Sequence, residues 1–263
     1  MNMIFKRALC VLGLLASSTA AMAADAIDVT IYIDQSFRTQ WGSATAGGRT
    51  KATAIFNDVA AYYKTNFNLD LRLARVEVPF FNVDTAQDGA ETTRGTILNI
   101  MRTNISVPNG QTASAHPTHW LLVHRDTGTR LQGRADNIGG LSKTRFPNLW
   151  ISTLELRASA SNPFFGTCPA ISRPRTAAQI RHTAVHEFGH LMAARHPGGT
   201  CSNSVMCLPG PAECIGGLQD PTWQEPATTE VMDATNSTAI RTHRNCYLGT
   251  VFQWTPCFNQ GTP

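Results

Sequence analysis

Three histidines and one glutamate are crowded into a single short run of this 263-residue chain, His186-Glu187-Phe188-Gly189-His190-Leu191-Met192-Ala193-Ala194-Arg195-His196. His186 and His190 are four residues apart, so on a helix they stack on one face, about one turn from each other. Both imidazoles can then reach one metal ion. Glu187 lies about 100° further round the same helix. It cannot share the ligand position, but it can reach a water held at an open coordination site, as a general base must. Histidine nitrogens with an adjacent carboxylate point to zinc and to hydrolysis.

His196 adds a demand on the fold. A helix continuing past His190 would carry His196 about 240° round the axis, away from the same ion. For His196 to be the third ligand, the helix must break near Ala193 and the chain must double back. The spacing His-Glu-x-x-His-x-x-x-x-x-His therefore implies a local structure as well as a metal.

This pattern resembles that of the metzincin clan of zinc endopeptidases, H-E-x-x-H-x-x-G-x-x-H followed by a methionine turn. The resemblance implies Zn²⁺ held by His186, His190 and His196, with Glu187 as the catalytic base. It also implies an α/β (α+β) fold of zincin type: a twisted, mixed five-stranded sheet, two long helices, the metal-binding helix, and an irregular disulfide-linked C-terminal lobe. Ala193 stands where the clan has glycine. A left-handed turn costs alanine about 1 kcal/mol, which is small against a three-histidine zinc site, so the turn is expected to survive. Should it not, Glu230 is the downstream candidate for a third ligand, in a gluzincin-like arrangement.

Two segments could supply the methionine turn. Ser204-Val205-Met206 is preferred for the turn-forming residues around it, and Val231-Met232-Asp233 is the alternative. Pro197, directly after the third histidine, is serralysin-like. The glycine-aspartate calcium repeats of that group are absent, however, and Leu208 occupies the place of a tyrosine. The chain therefore looks closer to the adamalysin (reprolysin) group. The resemblance puts a substrate-binding edge strand at Ile138, Gly139, Gly140 and Leu141, where an extended protein or peptide substrate would pair as an added strand. The competing interpretation is a zinc-stapled binding module or adhesin without proteolysis, which the intact Glu187 argues against.

The elements that must position these residues are partly visible in the hydrophobic pattern. Residues 28–33 alternate as a strand, and 49–67 carry apolar residues at helical spacing. Residues 69–78 form a second strand whose apolar phase slips near Ala74-Arg75, the mark of a bulge. A helix is expected over 93–104, with strands at 120–123, 137–142 (glycine-rich, an edge) and 149–152. The metal helix is expected over 176–192 and a last helix over 236–248, capped by Asn236 or Ser237. His182 sits one turn before His186, too far from His190 to complete one site. It is expected to support the ligands or face solvent, and His116, His119, His124 and His243 are expected at surface or satisfied core positions.

The ends of the chain bear on location. Lys6 and Arg7, an apolar core at 8–16 and Ala21-Met22-Ala23 read as a signal peptide over residues 1–23. An upper catalytic subdomain is then expected over 24–196, and a lower one over 197–263 with the methionine turn and last helix. No later stretch is long enough for a membrane span, so a secreted or periplasmic protein is expected. Cys168, Cys201, Cys207, Cys214, Cys246 and Cys257 then remain, an even set that reads as disulfides in an exported chain, with 15 possible pairings. Lys+Arg number 22 against 18 Asp+Glu, and losing Lys6 and Arg7 leaves about +2. That balance, with no basic-aromatic run, excludes nucleic acid as a partner. The expected partner is a protein or peptide substrate, met by a monomer.

Overall fold

A computed structural model describes residues 26–86, 96–105, 116–127, 132–136, 138–139, 147–157, 160–162, 166–168, 171–197, 204–207 and 231–248. In chain order the elements are β1 (Ile27–Ile33), α1 (Gln35–Trp41), α2 (Gly47–Phe67), β2 (Leu71–Glu77), α3 (Thr96–Asn104), β3 (His116–Val123), β4 (Gly133–Ala135), β5 (Asn148–Ser152), β6 (Leu154–Arg157), β7 (Ala160–Asn162), β8 (Gly166–Cys168), β9 (Ile171–Pro174), α4 (Ala177–Leu191) and α5 (Ala234–Leu248). Five strands form one sheet in the order β2-β1-β3-β5-β4. Its strands are parallel except β4, which runs antiparallel to β5 at the edge. The mixed five-stranded sheet and the long helices agree with the expected α/β fold.

Period-two patterning builds the two faces of that sheet. Ile27, Val29, Ile31 and Ile33 of β1 are fully buried in a core shared with α2 and α4. Tyr32, pointing the other way, joins Leu121, Val123 and Trp150 beneath Ile97, Leu98 and Met101 of α3. Val29 pairs with Leu73 and Thr30 with Arg75, so Ala74 is the extra residue of a bulge in β2. The phase slip in the sequence therefore marks a real irregularity.

Several boundaries differ from expectation. β3 starts at His116, four residues before the apolar run that identified it. α5 starts at Ala234, and its cap is Asp233, whose Oδ1 accepts the Asn236 N–H at 2.9 Å. The antiparallel edge strand is Gly133–Ala135, upstream of the glycine-rich 137–142 segment. Ile138 and Gly139 lie in a turn after it, while Gly140 and Leu141 fall outside the described residues. The short ladders β6–β9 and β7–β8 carried no usable periodicity. Most of the expected C-terminal lobe, and the expected signal segment 1–23, also lie outside the described residues. Among the described residues, no helix is long and apolar enough to cross a membrane.

Candidate metal centre

α4 is the element on which the site is built. Thr176 caps it through a reciprocal pair: its Oγ1 accepts the Gln179 N–H at 3.2 Å, and Gln179 Oε1 accepts the Thr176 N–H at 2.8 Å. This arrangement satisfies donors that the first turn would otherwise leave open. Phe188 locks the helix onto the core, its ring 4.8 Å from that of Tyr63 and 5.9 Å from that of Trp120, centroid to centroid. Tyr63 donates its hydroxyl to the Val185 carbonyl at 2.8 Å. Buried Arg175 donates to the Ser152 carbonyl and to Thr183 Oγ1, tying the end of β5 to the same helix.

The helix ends where the third ligand requires. Ala193 has φ +73°, in the left-handed region. Its N–H donates to the His190 carbonyl at 3.0 Å, and the Ala194 N–H donates to the Gly189 carbonyl at 2.9 Å. Together these are the two bonds of a Schellman ending, with alanine at the position glycine usually fills. The reversal turns the Ala194 carbonyl back to accept from His190 Nδ1 at 2.9 Å. It also brings His196 onto the pair already on the helix.

The three Nε2 atoms form a near-equilateral triangle. His186 and His196 are 3.0 Å apart, and His190 is 3.1 Å from each of them. His186 Nδ1 faces the Val205 carbonyl at 2.8 Å. A carbonyl only accepts, so Nδ1 of His186 and of His190 must each carry the proton. Their Nε2 atoms then present lone pairs to each other with no proton between them, an arrangement that a cation among them relieves. Burial and the neighbouring His190 hold His186 well below its ordinary pKa, and burial pushes His190 down to about 4. Both rings are neutral ligands at neutral pH. Among the described residues this is the one cluster of three potential ligand side chains, and its nitrogen donors suit zinc.

Glu187, next to His186 on α4, is 7 % exposed and packs against β4. A Cβ built on Gly133 would lie 2.9 Å from Glu187 Cγ and 2.6 Å from Thr183 Cγ2. Only glycine lets the edge strand come so close to that carboxylate. Met206 is fully buried in the turn that also carries Val205. A Cβ on Gly189 would sit 2.9 Å from its sulfur. Met232 is buried at the start of α5 instead. Cys207, next in the turn, is disulfide-bonded.

The remaining sequence candidates are placed as follows. Gly139 has φ +67° and donates its N–H to the His190 carbonyl at 2.7 Å. Ile138 precedes it in the turn, and Glu230 lies outside the described residues. His182 is buried rather than solvent-facing, with its pKa pushed down to about 4 by burial and then by Arg175. His243, on α5, is buried and faces Gly139. Sequence reasoning missed Gly133, Gly189 and Asn236, whose contacts come from segments remote in the chain. The signal within reach was a glycine inside a strong helix, since Gly189 costs about 1 kcal/mol there relative to alanine.

A match to one protein family agrees with this geometry. A family model named Reprolysin_5, described as metallo-peptidase family M12, matches residues 23–243. No curated protein matches significantly. One similar solved structure, described as "Structure of a chaperone-substrate complex", is 13% identical with a TM-score of 0.47, over 85% of this chain and 35% of that one. The chain thus spans about a third of the length of that polypeptide.

Proposed function

From the premise that the chain belongs to metallopeptidase family M12, we propose that it is an exported zinc endopeptidase in which Glu187 is the general base. The observation that carries this reading is the Nε2 triangle of His186, His190 and His196, its two helical members fixed by Nδ1–H bonds to carbonyls, with Glu187 beside it. A zinc ion held there supplies an acidified water and a Lewis-acid partner for a peptide carbonyl.

The chain's own residues do the rest. Glu187 takes the proton of the attacking water and delivers it to the leaving amine. At the sheet edge formed by β4, an extended substrate would pair as an added strand. This shifts the proposed docking edge from 138–141 to Gly133–Ala135, with Ile138 and Gly139 just beyond it. Met206 is assigned the methionine turn beneath the ligands. Export rests on the basic and apolar segments of residues 1–23, and the even set of cysteines after them suits disulfide cross-linking in that setting.

Digestion of fluorescein-labelled casein by the purified mature chain tests the proposal. Cleavage should be lost with a chelator and return with added zinc. Stoichiometric zinc binding without cleavage of casein or of a peptide library would favour the binding module instead.

A further inference from the structure

One side-chain amide of α5 reaches the backbone next to His196. Asn236 lies in the first turn of α5 and is only 4 % exposed. Its Oδ1 accepts the Arg195 N–H at 2.8 Å, and its Nδ2 donates to the Arg195 carbonyl at 2.8 Å. The second Nδ2 hydrogen goes to Asp233 Oδ2 at 2.7 Å. Exchanging the amide oxygen and nitrogen would set a donor against the Arg195 N–H and an acceptor against a carbonyl and a carboxylate. The orientation is therefore fixed by its partners.

Arg195 immediately precedes His196, the exposed member of the triangle. Between the Schellman turn and Pro197 the backbone has no helix or strand to hold it. The Asn236 amide supplies the missing pairing, occupying both backbone groups of Arg195 as a neighbouring strand would. Asp233 extends the same anchor to the other side of the site. It accepts the Ser204 hydroxyl at 2.7 Å, and Ser204 Oγ accepts the Met206 N–H at 3.2 Å. That turn presents the carbonyl that orients His186. Partial burial opposes ionisation of Asp233, but the bonds from Asn236 and Ser204 prevail and hold its carboxyl below the usual range.

We propose that Asn236 is a positioning residue for the third zinc ligand, fixing His196 by clamping both backbone groups of Arg195. The inference rests on zinc occupying the three-histidine site. Partners that hydrogen-bond a ligand directly contribute about 10–100-fold to metal affinity; Asn236 acts through the backbone beside His196, so the low end of that range is expected.

The test is zinc affinity of the whole mature chain, measured by competition with a chromogenic chelator, together with the visible spectrum of the cobalt-substituted protein. Asn236→Ala should bind zinc at least about tenfold more weakly and shift the cobalt bands. Asn236→Gln, which keeps the amide's acceptor and donors but displaces them by one methylene, should weaken zinc less and serves if the alanine variant does not fold. Ser237→Ala, which removes a 3.2 Å bond to the Met232 carbonyl in the same turn, should leave affinity and spectrum unchanged. Folded Asn236 variants with wild-type affinity and spectrum would overturn the inference and leave the protease reading standing. A wild-type chain that binds no zinc would overturn both.

Discussion

Gly189 and Met206 meet where only a glycine leaves room: the methionine sulfur occupies the space a Cβ at 189 would claim, 2.9 Å away. Tyr63 closes the same space, its hydroxyl 3.3 Å from that point. A helix interior ordinarily gains about 1 kcal/mol from alanine over glycine, but overpacking costs about 1–3 kcal/mol. Gly189→Ala should therefore destabilise the protein, by about 1 kcal/mol net, and the loss should shrink in the Gly189→Ala/Met206→Ala pair. Denaturant unfolding of the four proteins in this cycle measures it, and independent, additive losses would refute the contact.

Ala193 carries the opposite imbalance. Its left-handed φ of +73° disfavours any side chain. Ala193→Gly should raise stability by about 0.5–1 kcal/mol, whereas Ala193→Val should lower it by more than 1 kcal/mol. Thermal unfolding of the metal-free chain gives both signs directly.

The close approach of β4 makes a prediction about catalysis. Gly133→Ala forces a methyl against Glu187 and Thr183. Cleavage rate should fall at least about tenfold, in line with the sensitivity of catalysis to small displacements, while zinc content remains one per chain. An unchanged kcat would show that the carboxylate does not depend on that gap.

How stability varies with pH follows from His119, which stacks on Tyr32 with ring centroids 6.0 Å apart. Burial pushes its pKa from 6.5 to about 4. Between those values the unfolded chain holds the proton and the folded chain does not, so stability falls as pH falls through that window. His119 alone contributes a loss of about 3 kcal/mol, on top of same-signed contributions from His124, His182, His186 and His190, which burial also holds below the ordinary value. Chemical denaturation of the metal-free protein at a series of pH values should show this slope, and His119→Phe should make it shallower.

Much of the site was legible because its logic is local. His186, Glu187 and His190 are related by helical spacing alone. His196 forces a reversal at Ala193, which the structure shows as a left-handed residue. The bulge at Ala74 was visible as a slip in apolar phase. What could not be read depends on distant pairing. Gly133–Ala135 has no alternating apolar pattern, being a strand only through its bonds to β5, so the glycines at 139–140 drew attention instead. Asn236 looked like a helix cap because that is asparagine's common role. The cap is Asp233, and the Asn236 amide is committed to Arg195, 41 residues earlier.

In the proposed chemistry, Glu187 moves the proton at a zinc site built by three histidines. The most direct test pairs zinc content with casein cleavage in Glu187→Gln, which preserves side-chain size but cannot accept the proton. One zinc per chain is expected, as in the wild type, with cleavage reduced at least about 100-fold. A zinc-loaded Glu187→Gln protein that cleaves at the wild-type rate would contradict it.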